Sequence, residues 1–188
     1  MNNRGMHRTW LLEKLKQVPK TPIQQDFVSF VQEHPQCFER DFYPGHVTGS
    51  ALIVNENHSK VLLMHHKKLH LWLQPGGHAD GSGLIHDVAL RESQEECGAQ
   101  HLSFIRDGIF DLDIHTIPEN HLEPSHKHYD VRFILKVNKL SDIRKNDESY
   151  ALKWFVPEEL MEIKTDASVV RLVAKAVTSK LLLIPQKL

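Results

Sequence analysis

The chain reads as an α/β protein on three observations. Short apolar runs of strand character recur between Val47 and Val156, helical patterns stand before, among and after them, and a glycine-dense loop feeds the central helix. From about His7 to Gln17 the spacing predicts a short helix with Trp10, Leu11 and Leu15 on one side. Thr21 then reads as an N-cap, Pro22 as the first helical residue and Gln24 as the partner in a capping box. Phe27, Phe30 and Val31 continue that helix to about His34. A polar connector, Phe38 to Pro44, follows.

Strands are expected at Val47–Val54 and Lys60–His65, with a turn at Asn55-Glu56-Asn57. After the central helix, Phe104–Ile105 and Ile109–Ile114 are extended, broken by Asp107-Gly108. Phe110, Leu112 and Ile114 face one way, and Asp111, Asp113 and His115 the other. Beyond a polar loop, Thr116 to Ser125, the next strand alternates again. Tyr129, Val131, Phe133, Leu135 and Val137 form its apolar side; His126, His128, Asp130 and Arg132 form its polar side. A charged loop spans Asp142 to Ser149, and Leu152–Val156 is the last strand. Pro157–Leu160 opens a short helix, and from about Ala167 a final helix sets Val169, Val170, Val173 and Val177 on one face. The apolar run from Leu181 to Ile184 is expected to pack.

At 188 residues the chain suits one domain, 45–188, preceded by a helical extension, 1–44. The extension is expected to be a packing appendage, with a lid or a homodimer contact as alternatives. A net charge of −1 argues against bulk nucleic-acid or membrane-surface binding. Two cysteines, Cys37 and Cys97, make no disulfide framework and point to a reducing, cytoplasmic setting. No apolar run approaches the roughly 18 residues of a membrane span. Histidine is unusually frequent, at fourteen.

The chemistry concentrates between Gln74 and Ala99. The Gln74-Pro75-Gly76-Gly77-His78 entrance and the glycines behind it let backbone groups approach a ligand closely. Leu84 to Glu96 reads as a helix, with Ser82 as N-cap and Gly98 as its stop. Glu92, Glu95 and Glu96 stand at i, i+3 and i+4 and share one face. Like charges so placed cost roughly 0.2–0.5 kcal/mol per pair on an exposed helix. A solvated acidic face tolerates that; a hard divalent cation removes it.

This stretch resembles the signature of the Nudix hydrolases: a glycine, five residues, a glutamate, seven residues, then Arg-Glu-aliphatic-x-Glu-Glu-x-Gly-aliphatic. Here Gly77, Arg91, Glu92, Glu95, Glu96 and Gly98 match it. The lead-in Trp72-Leu73-Gln74-Pro75-Gly76 and the ending Trp154-Phe155 with Glu159-Leu160 are also similar to the family. Gly83 stands where the first glutamate belongs, and Ser93 and Ala99 where aliphatic residues belong. Asp80 and Asp87 are the nearby carboxylates that would take over part of the missing role.

The resemblance implies an α/β/α sandwich around a mixed sheet and hydrolysis of a diphosphate linkage in a nucleoside diphosphate derivative. It implies Mg2+ or Mn2+ at Glu92, Glu95 and Glu96, with the Gly76 carbonyl as a further ligand and Arg91 orienting the glutamates. Glu92 or Glu123 would accept the proton of the attacking water. His66, Lys67, Trp72, His78, His126 and His128 are the residues expected to meet the substrate. If the two polar-faced strands pair, Asp113, His115, His126 and His128 converge as a second constellation, suited to zinc or another transition metal, or to phosphate. Two alternatives stand beside the hydrolase. One is a non-catalytic nucleotide- or metabolite-binding module, favoured by Gly83. The other is an enzyme resembling isopentenyl diphosphate isomerase, disfavoured because no cysteine precedes Gly77-His78.

Overall fold

The structure is a computed structural model that describes residues 3–138 and 143–184. Asp142, the expected start of the charged loop, lies outside the described residues. In chain order the elements are α1 (Asn3–Leu15), α2 (Pro22–Glu33), β1 (Gly45–Val54), β2 (Val61–His66), β3 (Trp72–Leu73) and β4 (Gly76–His78). Then come α3 (Ile85–Cys97), β5 (Leu102–Phe104), β6 (Asp111–Ile117), β7 (His126–Val137), β8 (Ser149–Phe155), a 3-10 helix (Pro157–Met161) and α4 (Ala167–Thr178). The chain divides into two compact units, and β1, α3 and β7 each run from one into the other. Among the described residues no helix is long and apolar enough to cross a membrane.

The first unit comprises Met1–Ser50, Gly76–Ala89 and Gly108–Phe133. Thr21 caps α2 as expected, accepting from the Gln24 N–H at 3.3 Å. The capping box is only half made, because the Gln24 amide reaches instead to the Leu15 carbonyl at 3.0 Å and ties α2 to the end of α1. Leu11, Leu15, Phe27 and Val31 are fully buried, and Phe30 stacks on Tyr129 of β7 at 3.7 Å. The first half of β1 pairs antiparallel with β4, Thr48 opposite His78 and Ser50 opposite Gly76. β6 pairs antiparallel with β7 over its whole length, Asp113 opposite Asp130 and His115 opposite His128.

The polar side expected for β7 is partly buried. Asp130 and Arg132 are both buried, because β1 supplies partners for them. Thr48 Oγ1 and Ser50 Oγ donate to Asp130 at 3.0 and 2.7 Å, and Arg132 Nε donates to it at 2.8 Å. Arg132 also meets Asp113 at 3.1 Å. A buried charge is tolerated when paired and hydrogen-bonded in this way.

The second unit comprises Ala51–Pro75, Leu90–Asp107 and Ile134–Leu188. There the end of β1 pairs with β2, β2 pairs with β3 and β8, and β5 pairs with the end of β7, all antiparallel. A register shift at His65/His66 turns the end of β2. Asp166 caps α4 by accepting from the Ser168 N–H at 2.8 Å, and Val169, Leu172 and Val173 are buried. Of the apolar run after α4, Leu182 is buried while Leu183 and Ile184 are exposed.

Several boundaries differ from expectation. Ser82 does not cap α3. Its N–H closes a turn on Ala79, and the helix begins after Leu84, whose carbonyl accepts from Asp87 and Val88. Gly98 does stop the helix, at φ +65°. Ile105 and Ile109 fall outside strands, around a turn at Gly108 with φ +80°.

Candidate active site

In the second unit the C-terminal part of α3 presents Arg91, Glu92, Glu95 and Glu96. Arg91 bridges two of the carboxylates, reaching Glu92 at 2.8 Å and Glu95 at 3.2 Å. Glu95 is exposed, Glu92 is mostly covered, and Glu96 is 5% exposed. Burial pushes the Glu92 carboxyl above its ordinary range; Arg91 opposes this, while Glu95 and Glu148 add to it. Glu148 lies in the charged loop, outside every residue that the sequence singles out. It also acts on His66, whose ring burial keeps neutral. The Glu148 carbonyl accepts from the Lys67 N–H at 3.0 Å, which brings β2's end beside that loop.

His66 Nδ1 accepts from the Lys68 and Leu69 N–H groups, both at 3.2 Å, which leaves the neutral ring's proton on Nε2. Trp72 is held between His65, stacked at 5.0 Å, and Phe155, edge-on at 4.9 Å. Cys97 is buried and its thiol is pushed up to about 12, which makes it packing and not a nucleophile.

The donor set on α3 fits a hard divalent cation. It offers carboxylate oxygens only, one of them mostly covered and paired with a single guanidinium. The three carboxylates do not converge on a single point. Among the described residues, the one group of three or more ligand-type side chains whose donor atoms lie together is made of histidines.

That group is in the first unit. His46 of β1, His78 of β4 and His128 of β7 bring their nitrogens within 4.8 Å of one another. His126 joins them, its Nε2 3.3 Å from that of His128. Of the expected constellation, His115 lies at the edge, its ring 5.3 Å from His128, but it is bonded to Asp113 at 3.0 Å, and Asp113 is engaged by Arg132. The nearer member is His46, a residue that sequence reasoning misses. A signal for it exists: His46, Thr48 and Ser50 alternate along β1 and mark a polar face within a strand otherwise read as apolar.

His46 is 1% exposed, and its buried ring nitrogens make no hydrogen bond of ordinary geometry, the Phe42 carbonyl acting on the ring only from a poorer position. Leaving such a buried group unsatisfied costs about 1–3 kcal/mol. Burial lowers its pKa to about 4, helped by His78 and His126 and opposed weakly by the Phe42 carbonyl. Burial also lowers His128, to about 2, and His78. Glu123 counts among the charges acting on His78, so its loop faces this cluster. The folded pKa values lie below the unfolded ones, so the unfolded chain binds more protons between about pH 6.5 and about pH 4. The stability of the metal-free protein is therefore expected to fall as pH drops through that window. Urea midpoints measured across it check this; a flat profile contradicts it.

Gly83 has a structural reason. A Cβ there would stand 2.5 Å from His7 Cβ and 3.0 Å from the Phe38 ring. Helix α1 occupies the space a glutamate would need, and Trp10 of α1 stacks on His86 at 4.6 Å. The expected stand-ins are engaged: Arg40 holds Asp80 bidentately at 2.6 and 2.7 Å, and His86 meets Asp87 at 3.2 Å. Gly83→Glu, which restores the signature, is expected to destabilise the protein by about 1–3 kcal/mol through overpacking. A lowered urea midpoint is the expected result; an unchanged midpoint would show that α1 yields.

The NUDIX domain model matches residues 45–175. The chain belongs to the Nudix family. Similar solved structures include a Caenorhabditis elegans Ap4A hydrolase binary complex, with 20% identity, 72% of this chain and 97% of that chain covered, and a TM-score of 0.58. A Nudix-family hydrolase from Clostridium perfringens is 26% identical over 72% of this chain and 97% of that one, with a TM-score of 0.54. The Escherichia coli dihydroneopterin triphosphate pyrophosphohydrolase is 16% identical over 71% and 95%, with a TM-score of 0.58. A comparison with curated sequences returns no match. The fold is accordingly the Nudix α/β/α type, a mixed sheet with helices against it, and it carries extra N-terminal helices.

Proposed function

We propose that the protein hydrolyses the diphosphate linkage of a nucleoside diphosphate joined to a further group, with Mg2+ or Mn2+ held by Glu92, Glu95 and Glu96. The observation that carries this reading is the α3 carboxylate group, organised by one guanidinium and including two covered carboxyls. The ions, when bound, neutralise the anhydride's charge and lower the pKa of a ligated water.

Glu92 takes the proton. Its mostly covered position sets it apart from the exposed Glu95. Arg91 positions Glu92 and Glu95 through charge-assisted hydrogen bonds. Lys67 and the Nε2–H of His66 offer donors to phosphate oxygens, and Trp72 lines the approach. Glu148 is the further carboxylate that we add beside Glu92; Glu123 is the alternative, from the loop facing His78. Two structural neighbours are named for Ap4A and dihydroneopterin triphosphate, substrates that both contain phosphoanhydrides. Two free, buried cysteines go with a cytoplasmic setting.

A non-catalytic binding module is the second reading, and Gly83 favours it. Phosphate or nucleotide release from a panel of dinucleotides, nucleoside triphosphates and nucleotide sugars, run with Mg2+ and with Mn2+, separates the two. Release from at least one substrate is the expected result. Saturable binding with no release across the panel would establish the module instead.

A further inference from the structure

We propose that His46, His78 and His128 form a binding site for a nitrogen-preferring divalent transition metal, with zinc as the fitting ion. This goes beyond the hydrolase reading, whose ions sit on carboxylate oxygens.

Strand register delivers the three rings. β1 and β4 pair with Thr48 opposite His78, which sets His46 diagonally across from it. The ring centroids of His46, His78 and His128 make a nearly equal-sided triangle, at 5.0, 4.7 and 5.2 Å. Their donor atoms lie within 4.8 Å of one another. Tetrahedral zinc, at about 2.0–2.1 Å from each nitrogen, would set them roughly 3.4 Å apart. Small ring rotations close that difference. His78 and His128 are only half-buried, so an ion has a way in.

A hydrogen-bonded core and an anion site both fit the cluster less well. A self-contained hydrogen-bonded core would satisfy its members, yet the buried nitrogens of His46 have no hydrogen bond of ordinary geometry, only the pull of the Phe42 carbonyl. A metal ion is a partner that such a nitrogen can take. An anion site would want charged donors, and the Arg40 guanidinium that acts on His46 and His78 is already held bidentately by Asp80. Magnesium prefers oxygen, and three imidazoles suit zinc with a fourth position for water or substrate.

Supporting contacts of the usual kind are present. His126 Nδ1 lies 2.8 Å from the Pro124 carbonyl, so it carries the proton and donates. In the neutral ring that leaves His126 Nε2 as an acceptor, and His128 donates to it through Nε2–H at 3.3 Å. His128 is then fixed with Nδ1 bare. Metal-bound histidines characteristically donate their other N–H in this way.

The test uses the full chain stripped with a chelator and titrated with Co2+, followed by Zn2+. We expect one equivalent of cobalt with the strong visible absorption of a low-coordinate, nitrogen-rich site, bleached by zinc. In His78→Ala and His128→Ala, with folding checked by circular dichroism, the apparent affinity should fall by more than the roughly 10–100-fold that even a supporting partner is worth. Glu92→Gln/Glu96→Gln should keep the absorption. X-ray absorption at the zinc edge of the unmodified protein should give a nitrogen-rich shell, which keeps the test independent of any variant's folding. No saturable cobalt spectrum, a spectrum untouched by the histidine changes, or an oxygen-only zinc shell would overturn the proposal.

Discussion

Glu92→Gln is expected to lower kcat by about 10²–10⁴-fold, the range a positioned base supplies. The side chain keeps its size, and the amide oxygen can still accept from Arg91, which lies 2.8 Å from the Glu92 carboxylate. What is lost is the negative charge and the ability to take a proton. Folding should be preserved or slightly improved. Burial raises the Glu92 pKa, and the sign follows from linkage: such a carboxyl favours the folded state below its unfolded pKa and opposes it as pH rises through the folded one. Removing the charge therefore relieves a penalty at neutral pH. Steady-state rates with matched circular dichroism check both halves. A large fall in activity accompanied by unfolding would assign Glu92 a structural role instead.

Asp130→Ala is expected to produce the largest loss of stability, about 3–5 kcal/mol. Asp130 accepts from Thr48, Ser50 and Arg132 and is itself buried. Its removal takes a hydrogen-bonded carboxylate from a guanidinium that is 2% exposed and from the Thr48 and Ser50 hydroxyls. Arg132 retains Asp113 at 3.1 Å, which places the effect at the lower end of that range. Urea unfolding measures it. A loss below about 1 kcal/mol would mean that the buried network adds little beyond ordinary surface pairs.

Local signals are legible in the chain. Thr21-Pro22 caps α2 and Gly98 ends α3 because both depend on backbone preferences within a few residues. The acidic spacing on α3 is legible for the same reason. What chain order hides is non-local. Gly83 reads as a lost carboxylate in the sequence, but its cause is His7, brought from far upstream by α1. The polar side of β7 is legible as polar, but not that β1 supplies Thr48 and Ser50 to its buried Asp130. His46 escapes notice because one imidazole at the start of a strand means little until β4 and β7 set two more beside it. Glu148 is hidden in a charged loop, where composition says only that the segment is solvated.

The α3 carboxylates are held to need a divalent ion in order to cut a phosphoanhydride. The most direct measurement is the initial rate of phosphoanhydride cleavage against Mg2+ concentration, for the unmodified protein and for Glu96→Gln side by side. A saturable, magnesium-dependent rate that disappears in the variant is the expected result. Equal rates in the two proteins, or a rate that persists after chelation, would contradict it.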